Sequence, residues 1–515
     1  MVKPRKLISL CMIVKDEELH LPRCLTSVQG IVDEIIVVDT GSTDQTVAIA
    51  ERYGARVVLA EWEHDFAKAR NTGLALAQGD WILFLDADEE LDTHTGKQLL
   101  AEACQPVQGL FLQIWNVTGA NDDERGGTVH PVLRMFRNDD LVRFEGSIHE
   151  QIAASLLRRW PRAVFQLTDT KIIHYGYRQD IVTQKNKLQR NMELLERAVQ
   201  KEPDNSFHQY NIGVEYLRAG MPSKALEAFR SARQQQGFEQ LSYAHLVVKY
   251  EVRSLLSLSQ WAEAADIARL GAAQFSDYPD LHHYHALALA QCGQLHAAVS
   301  SAAAALGIGA APPQYHTEDG IGTYRTSYML GRLKEVQLDT QGVVQAYIAA
   351  LRFHPTLTPP LYRLCRYLRI AGEEARIASI LAAQLACRSE EAVIKVAAIM
   401  SASGCLQAAK AWVSWHAVQL GSEAAEVLAR WTKQAEHGAV KAEDEQQEEP
   451  GERYADLCER ADRHLERLQL VLSPDTGMRQ NVVPFVSPPA ETFPVKALAM
   501  IRLLLPCEEG WRIRG

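Results

Sequence analysis

Hydrophobic positions along the chain fall into two textures. Over the first 180 residues, short β-branched runs alternate with helical segments near 17–29, 43–53, 65–78 and 93–103. The runs are Leu7–Val14, Glu34–Val38, Arg56–Ala60, Trp81–Leu85, Leu110–Trp115, Val132–Phe136 and Lys171–Tyr175. The early ones are continuously apolar, as expected of strands covered on both faces. Gly54 stands where a helix would end in a left-handed C′ residue. This βαβα order predicts a parallel-cored α/β sheet, whose ligands bind beyond the carboxyl ends of the strands.

From about 183 the period becomes helical: Leu188, Met192, Leu195 and Val199 share one face, and the chain stays Ala-rich to about 436. A repeat near 34 residues emerges. Tyr210-Asn211-Ile212-Gly213-x-x-Tyr216 continues with Gly220, Ala225, Phe229 and Ala232, while Leu330-Gly331, Tyr347, Ala350 and Pro355 occupy matching places. Weaker copies centre on Trp261/Ala264 and Gly293/Ala298. These residues resemble tetratricopeptide repeats; a generic helical bundle is the alternative. The expected layout is 1–182 for the α/β domain, 183–436 for the repeats, 437–453 for an acidic linker and 454–515 for a tail.

Composition adjusts this picture. Of 515 residues, Gly 31 and Pro 20 make about a tenth, below the usual share of about 12% and in keeping with long helices. The net charge of −10 argues against a nucleic-acid binder. Glu443–Arg453 alone, with six acids and one arginine, carries half of it. Nine scattered cysteines without C-x-x-C spacing suit a reducing compartment, so a cytoplasmic location is expected. Met1–Lys6 followed by Leu7–Val14 mimics a signal peptide, but Lys15-Asp16-Glu17-Glu18 follows instead of a cleavage site, so a buried first strand is expected. No run approaches 18 apolar residues, so no transmembrane segment is expected.

Chemistry concentrates at two strand ends. Asp39-Thr40-Gly41-Ser42-Thr43-Asp44 follows the second strand. There Asp39 would point into the ligand crevice and accept a nucleobase imide N–H. Ser42-x-x-Gln45 also reads as a capping box opening the next helix, so Ser42 and Asp44 are expected to cap, whereas Asp39 caps nothing obvious. After Trp81–Leu85, Asp86 and Asp88 fall on one face of an extended chain. Two such carboxylates suit Mg²⁺ or Mn²⁺, which would also bind a diphosphate.

Three segments together resemble family 2 glycosyltransferases of the GT-A fold: Ser9–Glu18, Ile36–Asp44 and Leu83–Glu90. Phe66–Asn71, Arg134–Asn138, Phe144–Glu150 and His174-Tyr-Gly-Tyr are similar to the lipopolysaccharide core β-glucosyltransferases, and the added repeats to sublancin-type peptide S-/O-glycosyltransferases. The resemblance covers about 1–180, and 183–440 as architecture. It implies a UDP-hexose donor whose uracil meets Asp39, with Arg70 near the phosphates or sugar. Asp88, with Asp86 nearby, would hold a divalent cation, Mn or Mg, on the diphosphate. The cation neutralises the departing UDP, and an inverting displacement needs one base: Glu150, with Glu145 in reserve. His149 and His174 compete for a further metal-ligand role. Arg134 and Arg137 are phosphate-binding or surface residues, and Gly126-Gly127 within Asn121–Thr128 would be a loop closing over the donor.

Absences narrow the field. There is no Q-x-x-R-W, no G-x-G-x-x-G and no P-loop, and His149-Glu150-Gln-Ile-Ala153 lacks the second histidine of a zincin. An inverting transfer to a peptide or protein recruited by the repeats is the leading expectation. A glycan or lipid-linked acceptor and a non-enzymatic scaffold carrying a decayed domain are the alternatives. Repeats also dimerise proteins, so a homodimer through them is a further expectation.

Overall fold

The computed structural model describes residues 8–117, 127–175, 181–354, 357–385 and 390–416. Residues 121–126 of the expected closing loop, the acidic run, the tail and the end of the expected repeat region lie outside them.

Among the described residues nine strands make one sheet: β1 Ile8–Val14, β2 Glu34–Asp39, β3 Arg56–Leu59, β4 Trp81–Phe84, β5 Glu89–Leu91, β6 Gly109–Val117, β7 Gly127–Arg137, β8 Phe165–His174 and β9 Thr317–Glu318. Their order is β3-β2-β1-β4-β7-β6-β8-β5, with β9 against β7. Strands β1 to β4 pair in parallel, as the continuous apolar runs demand. Alternate residues of β1 serve two cores: Ile8, Leu10, Met12 and Val14 pack on one face, and Cys11 joins Ile36, Ile82 and Phe84 on the other. All seven expected strands are present. The two unexpected ones are short and polar, and both turn out to position chemistry.

Helices α1 Leu21–Ser27, α2 Thr46–Arg52, α3 Phe66–Leu74, α4 Gln98–Glu102 and α5 Ala153–Arg159 flank the sheet. Gly54, at φ 77°, ends α2 as expected. The capping box does not form. α2 begins at Thr46, whose N–H donates to Asp44 Oδ1 at 2.9 Å, while Ser42 Oγ accepts from the Asp16 N–H at 2.9 Å. Asp44 thus caps the start of α2, as expected, and also accepts from the Glu18 N–H at 3.1 Å, whereas Ser42 braces the loop after β1, where Asp16 and Glu18 accept from the Thr43 and Gln45 N–H groups.

α6, Ile181–Lys201, leads into six antiparallel helix pairs among the described residues. The first is α7 Ser206–Arg218 with α8 Pro222–Gln234, followed by α9 Ala244–Ser257 with α10 Trp261–Gln274 and α11 Pro279–Gln291 with α12 Leu295–Ile308. Then come α13 Tyr324–Val336 with α14 Thr340–Phe353, α15 Thr358–Ile370 with α16 Glu374–Gln384, and α17 Glu390–Ala402 with α18 Leu406–Trp415. The repeat signature has a steric cause. A Cβ on Gly213 would stand 2.6 Å from Phe229 Cε1, and one on Gly331 2.4 Å from Tyr347 Cε1. Each glycine admits the partner helix's aromatic ring, so the two strongest sequence copies mark equivalent contacts.

The two parts are joined by β9, which lies between α12 and α13 in sequence yet pairs with Thr128 and Val129 of β7. The repeats hold it with buried polar groups. Lys249 Nζ and Tyr278 Oη donate to the His316 carbonyl at 3.1 and 2.6 Å. Thr317 Oγ1 donates to Asp280 Oδ1 at 2.6 Å, Tyr284 Oη donates to Glu318 at 2.5 Å, and Arg253 pairs with Glu318 at 3.1 Å.

Candidate active site

Asp39 ends β2 opposite Val14 of β1, at the carboxyl edge of the parallel strands. It is buried, and its Oδ1 accepts from the Gly41 and Ser42 N–H groups at 3.0 and 2.9 Å. It caps no helix; it orders the turn after β2. Its Oδ2 is buried without a hydrogen-bond partner. An orphaned carboxylate oxygen there is what an imide donor would satisfy.

Arg70 projects from α3, whose start is capped by Asp65 accepting from the Lys68 N–H at 2.8 Å. Its guanidinium, 9% exposed, joins two carboxylates: Nη2 donates to Asp86 Oδ1 at 2.8 Å and Nε donates to Glu150. Arg134 on β7 donates to Glu89 Oε1 at 2.6 Å and lies 3.5 Å from Asp86 Oδ2. Both guanidiniums stack on Phe84. Burial would raise the Asp86 carboxyl, but Arg70 and then Arg134 outweigh it and hold it well below the usual carboxylate range. Arg137, on the opposite phase of β7, covers the Trp81 ring and donates to the Val107 and Gln105 carbonyls, so it supports the fold away from this cluster.

Asp88 meets His174 through β5. Glu89 pairs in register with His174 at the end of β8, and the Tyr175 N–H donates to the Asp88 carbonyl at 3.0 Å. His174 Nε2 then lies 3.4 Å from Asp88 Oδ2. Burial would lower the imidazole's pKa, but Asp88 raises it above its ordinary value. Two donors about 2.1 Å from one Mg²⁺-sized ion stand about 3.0–3.4 Å apart for bond angles of about 90–110°. Asp88 and His174 therefore fit a shared cation. Among the described residues no three His, Cys, Asp or Glu side chains gather into a metal cluster. The four expected ligands are dispersed: Asp86 is taken by two arginines, and His149 lies elsewhere.

His149 and Glu150 sit on a loop closed by mutual backbone bonds between Glu145 and Gln151. α3 holds that loop: Asn71 exchanges two hydrogen bonds with the Phe144 backbone, and the Phe66 N–H donates to the Ser147 carbonyl at 2.9 Å. Ile148 is buried against Leu194, Leu195, Ile212 and Ala228, so α6, α7 and α8 brace it from outside. His149 has a left-handed backbone, φ 51°, and its buried Nε2 has no partner. Burial pushes this imidazole down to about 4. Glu145 is half exposed, pairs with Arg158, and lines an open depression beside α3 with Lys68 and Phe144. Glu150, mostly buried beside Arg70, is thus the carboxylate that adjoins Asp86.

Two residues absent from the sequence reading complete the centre. Glu89 accepts from the Asp86 N–H at 2.9 Å besides holding Arg134. Asn116 accepts at Oδ1 from His174 Nδ1, 2.6 Å away. Asn116 is in phase with the buried Leu112 and Ile114 of an apolar strand, and a polar residue in that phase is the signal that would have found it.

Residues 9–161 match the family model described as Glycosyl transferase family 2. Over those residues the chain is similar to family 2 glycosyl transferases. A TPR repeat-containing protein of Synechococcus elongatus is 40% identical over 206 residues, 39% of this chain and 50% of that protein. The SPbeta prophage-derived glycosyltransferase SunS of Bacillus subtilis is 31% identical over 201 residues, 38% of this chain and 46% of that one. The chain thus spans about half the length of the curated relatives it matches. Among solved structures, S. aureus TarS 1–349 aligns at 15% identity and TM-score 0.28, covering 49% of this chain and 88% of that one. A tetratricopeptide repeat protein from Parabacteroides merdae aligns at 13% identity and TM-score 0.31, covering 49% and 94%.

Proposed function

We propose that the chain is an inverting, metal-dependent glycosyltransferase that moves a hexose from a UDP-sugar to a peptide or protein acceptor. The observation that carries this reading is the convergence of Asp39, Asp88 with His174, and Glu150 with Arg70 at one edge of the sheet. Asp39 Oδ2 would accept the uracil imide N–H. A Mn²⁺ or Mg²⁺ ion held by Asp88 and His174, when bound, would supply positive charge to the diphosphate leaving group. Asp86 and Glu89 keep Arg70 and Arg134 ordered beside that position. Glu150 would take the acceptor's hydroxyl or thiol proton as the nucleophile attacks the anomeric carbon from the face opposite UDP. Glu145, half exposed and paired to Arg158, is the weaker candidate for that role.

A glycan or lipid-linked acceptor is the second reading, and one observation favours it. The chain's own segment 316–318 covers Lys249, Tyr278, Asp280 and Tyr284, so those repeat residues are engaged without any acceptor. Among the described residues no helix is long and apolar enough to cross a membrane. A cytoplasmic location and a homodimer through the repeats belong to the same proposal.

The test is intact-mass analysis of peptide and oligosaccharide panels incubated with UDP-sugars and Mn²⁺ or Mg²⁺, alongside UDP-sugar hydrolysis. Asp88→Ala is expected to lose at least a hundredfold in rate. Wild-type turnover equal to that of Asp88→Ala would overturn the assignment.

A further inference from the structure

A row of polar side chains crosses five strands of the sheet. In register, Glu318 of β9 faces Thr128 of β7, Thr128 faces Asn116 of β6, Asn116 faces His174 of β8, and His174 faces Glu89 of β5. Asn116, 8% exposed, sits in the middle, and its two amide ends are assigned by their neighbours. Nδ2 donates to Thr128 Oγ1 at 2.9 Å and to the Thr128 carbonyl, which can only accept, at 3.5 Å, and it lies 3.3 Å from His130 Nδ1. Oδ1 is then the atom facing His174 Nδ1 at 2.6 Å. An amide oxygen only accepts, so His174 must carry its proton on Nδ1. Asp88 Oδ2, 3.4 Å from Nε2, is an acceptor too and competes for a proton on that nitrogen unless a cation takes the Nε2 lone pair.

We propose that Asn116 is a positioning residue that fixes the His174 ring and its Nδ1–H tautomer, so that the Nε2 lone pair and the Asp88 carboxylate face one cation together. The inference rests on the metal reading above only in its last clause. Orientation of a ligating imidazole by a hydrogen bond to its other nitrogen commonly changes metal affinity 10–100-fold when removed. The same row ties this ligand to the repeats, because Thr128 lies on β7 between β6 and the repeat-borne β9.

The experiment uses the full chain with Asp88→Ala, so that no Asp88 carboxylate competes for Nε2, free of metal and labelled with ¹⁵N-histidine, at a pH where His174 is neutral; the resonance is assigned by its loss when His174→Gln is added. The expected spectrum has Nδ1 protonated and Nε2 bare. Adding Asn116→Leu to that background is expected to abolish the preference, and Asn116→Leu alone is expected to weaken Mn²⁺ binding, read by electron paramagnetic resonance of the free ion, about 10–100-fold. Asn116→Asp keeps an acceptor toward Nδ1 and is expected to restore the tautomer and most of the affinity. Protonation of Nε2 in the Asp88→Ala chain, or a tautomer unchanged when Asn116→Leu is added to it, would overturn the proposal. If the tautomer behaves as expected but Asp88→Ala binds Mn²⁺ like the wild type, the orienting role of Asn116 stands and the metal reading falls.

Discussion

Arg70 offers the sharpest test of how the centre is held. Its guanidinium is nearly buried and bonds both Glu150, 12% exposed at its side chain, and Asp86, 38% exposed. Arg70→Gln would leave those carboxylates facing each other without their shared cation. Deleting one partner of a buried pair costs about 3–5 kcal/mol, and the exposure of Asp86 screens its share, so about 3 kcal/mol is expected. Glu150→Gln leaves Arg70 its bond to Asp86 and should cost about 1 kcal/mol. The double variant no longer strands a charge at position 150; it should cost about 2 kcal/mol, a coupling of about 2 kcal/mol. The assay is urea unfolding of the wild type, both single variants and the double variant, followed by tryptophan fluorescence and circular dichroism. Both single variants should also lose transfer, Glu150→Gln by about 10²–10⁴ as a missing general base. Costs that simply add to within about 0.5 kcal/mol would refute the linked arrangement.

Two further outcomes concern the joint between the domains. Lys249 and Asp280 are both fully buried and paired at 3.2 Å, so Lys249→Met should destabilise the chain by about 3–5 kcal/mol. The companion Asp280→Asn should recover part of that loss in the same urea assay; a loss below about 1 kcal/mol would sink the idea that β9 is fastened electrostatically. His245, buried with its Nε2 unpartnered, is pushed down to about 3 by burial and then by Lys249, against a bond to the Ser242 backbone. The unfolded chain takes up this proton near the ordinary value of about 6.5 and the folded chain does not. The stability present above about 6.5 therefore falls by about 1.4 kcal/mol per pH unit down to about 3. His245→Phe should flatten stability against pH by that slope between pH 6 and 4; an unchanged slope would contradict a neutral buried ring.

Much of this protein is written locally. Continuous apolar runs dictate β1 to β4 because a strand covered on both faces has no polar phase to hide. Gly213 and Gly331 mark repeats because one missing Cβ admits one aromatic ring. Asp39, Asp86, Asp88 and Glu150 stand out because carboxylates at strand ends and on short loops have no packing reason to be there.

Pairing is another matter. β5 carries Glu-Glu-Leu and β9 Thr-Glu, too short and too acidic to read as strands, and each exists because a neighbouring edge was open. β5 brings His174 to Asp88, and β9 ties the repeats to β7. The division of labour between Asp86, held by two arginines, and Asp88, held against an imidazole, follows from which strands end beside them. His149 and His174 look alike along the chain and differ only in place, one on the loop whose Ile148 packs against α6 to α8 and the other across β5. Periodicity and residue type determine elements and nominate chemistry; distances between groups tens of residues apart arise only when the sheet closes, and these decide which carboxylate meets which cation.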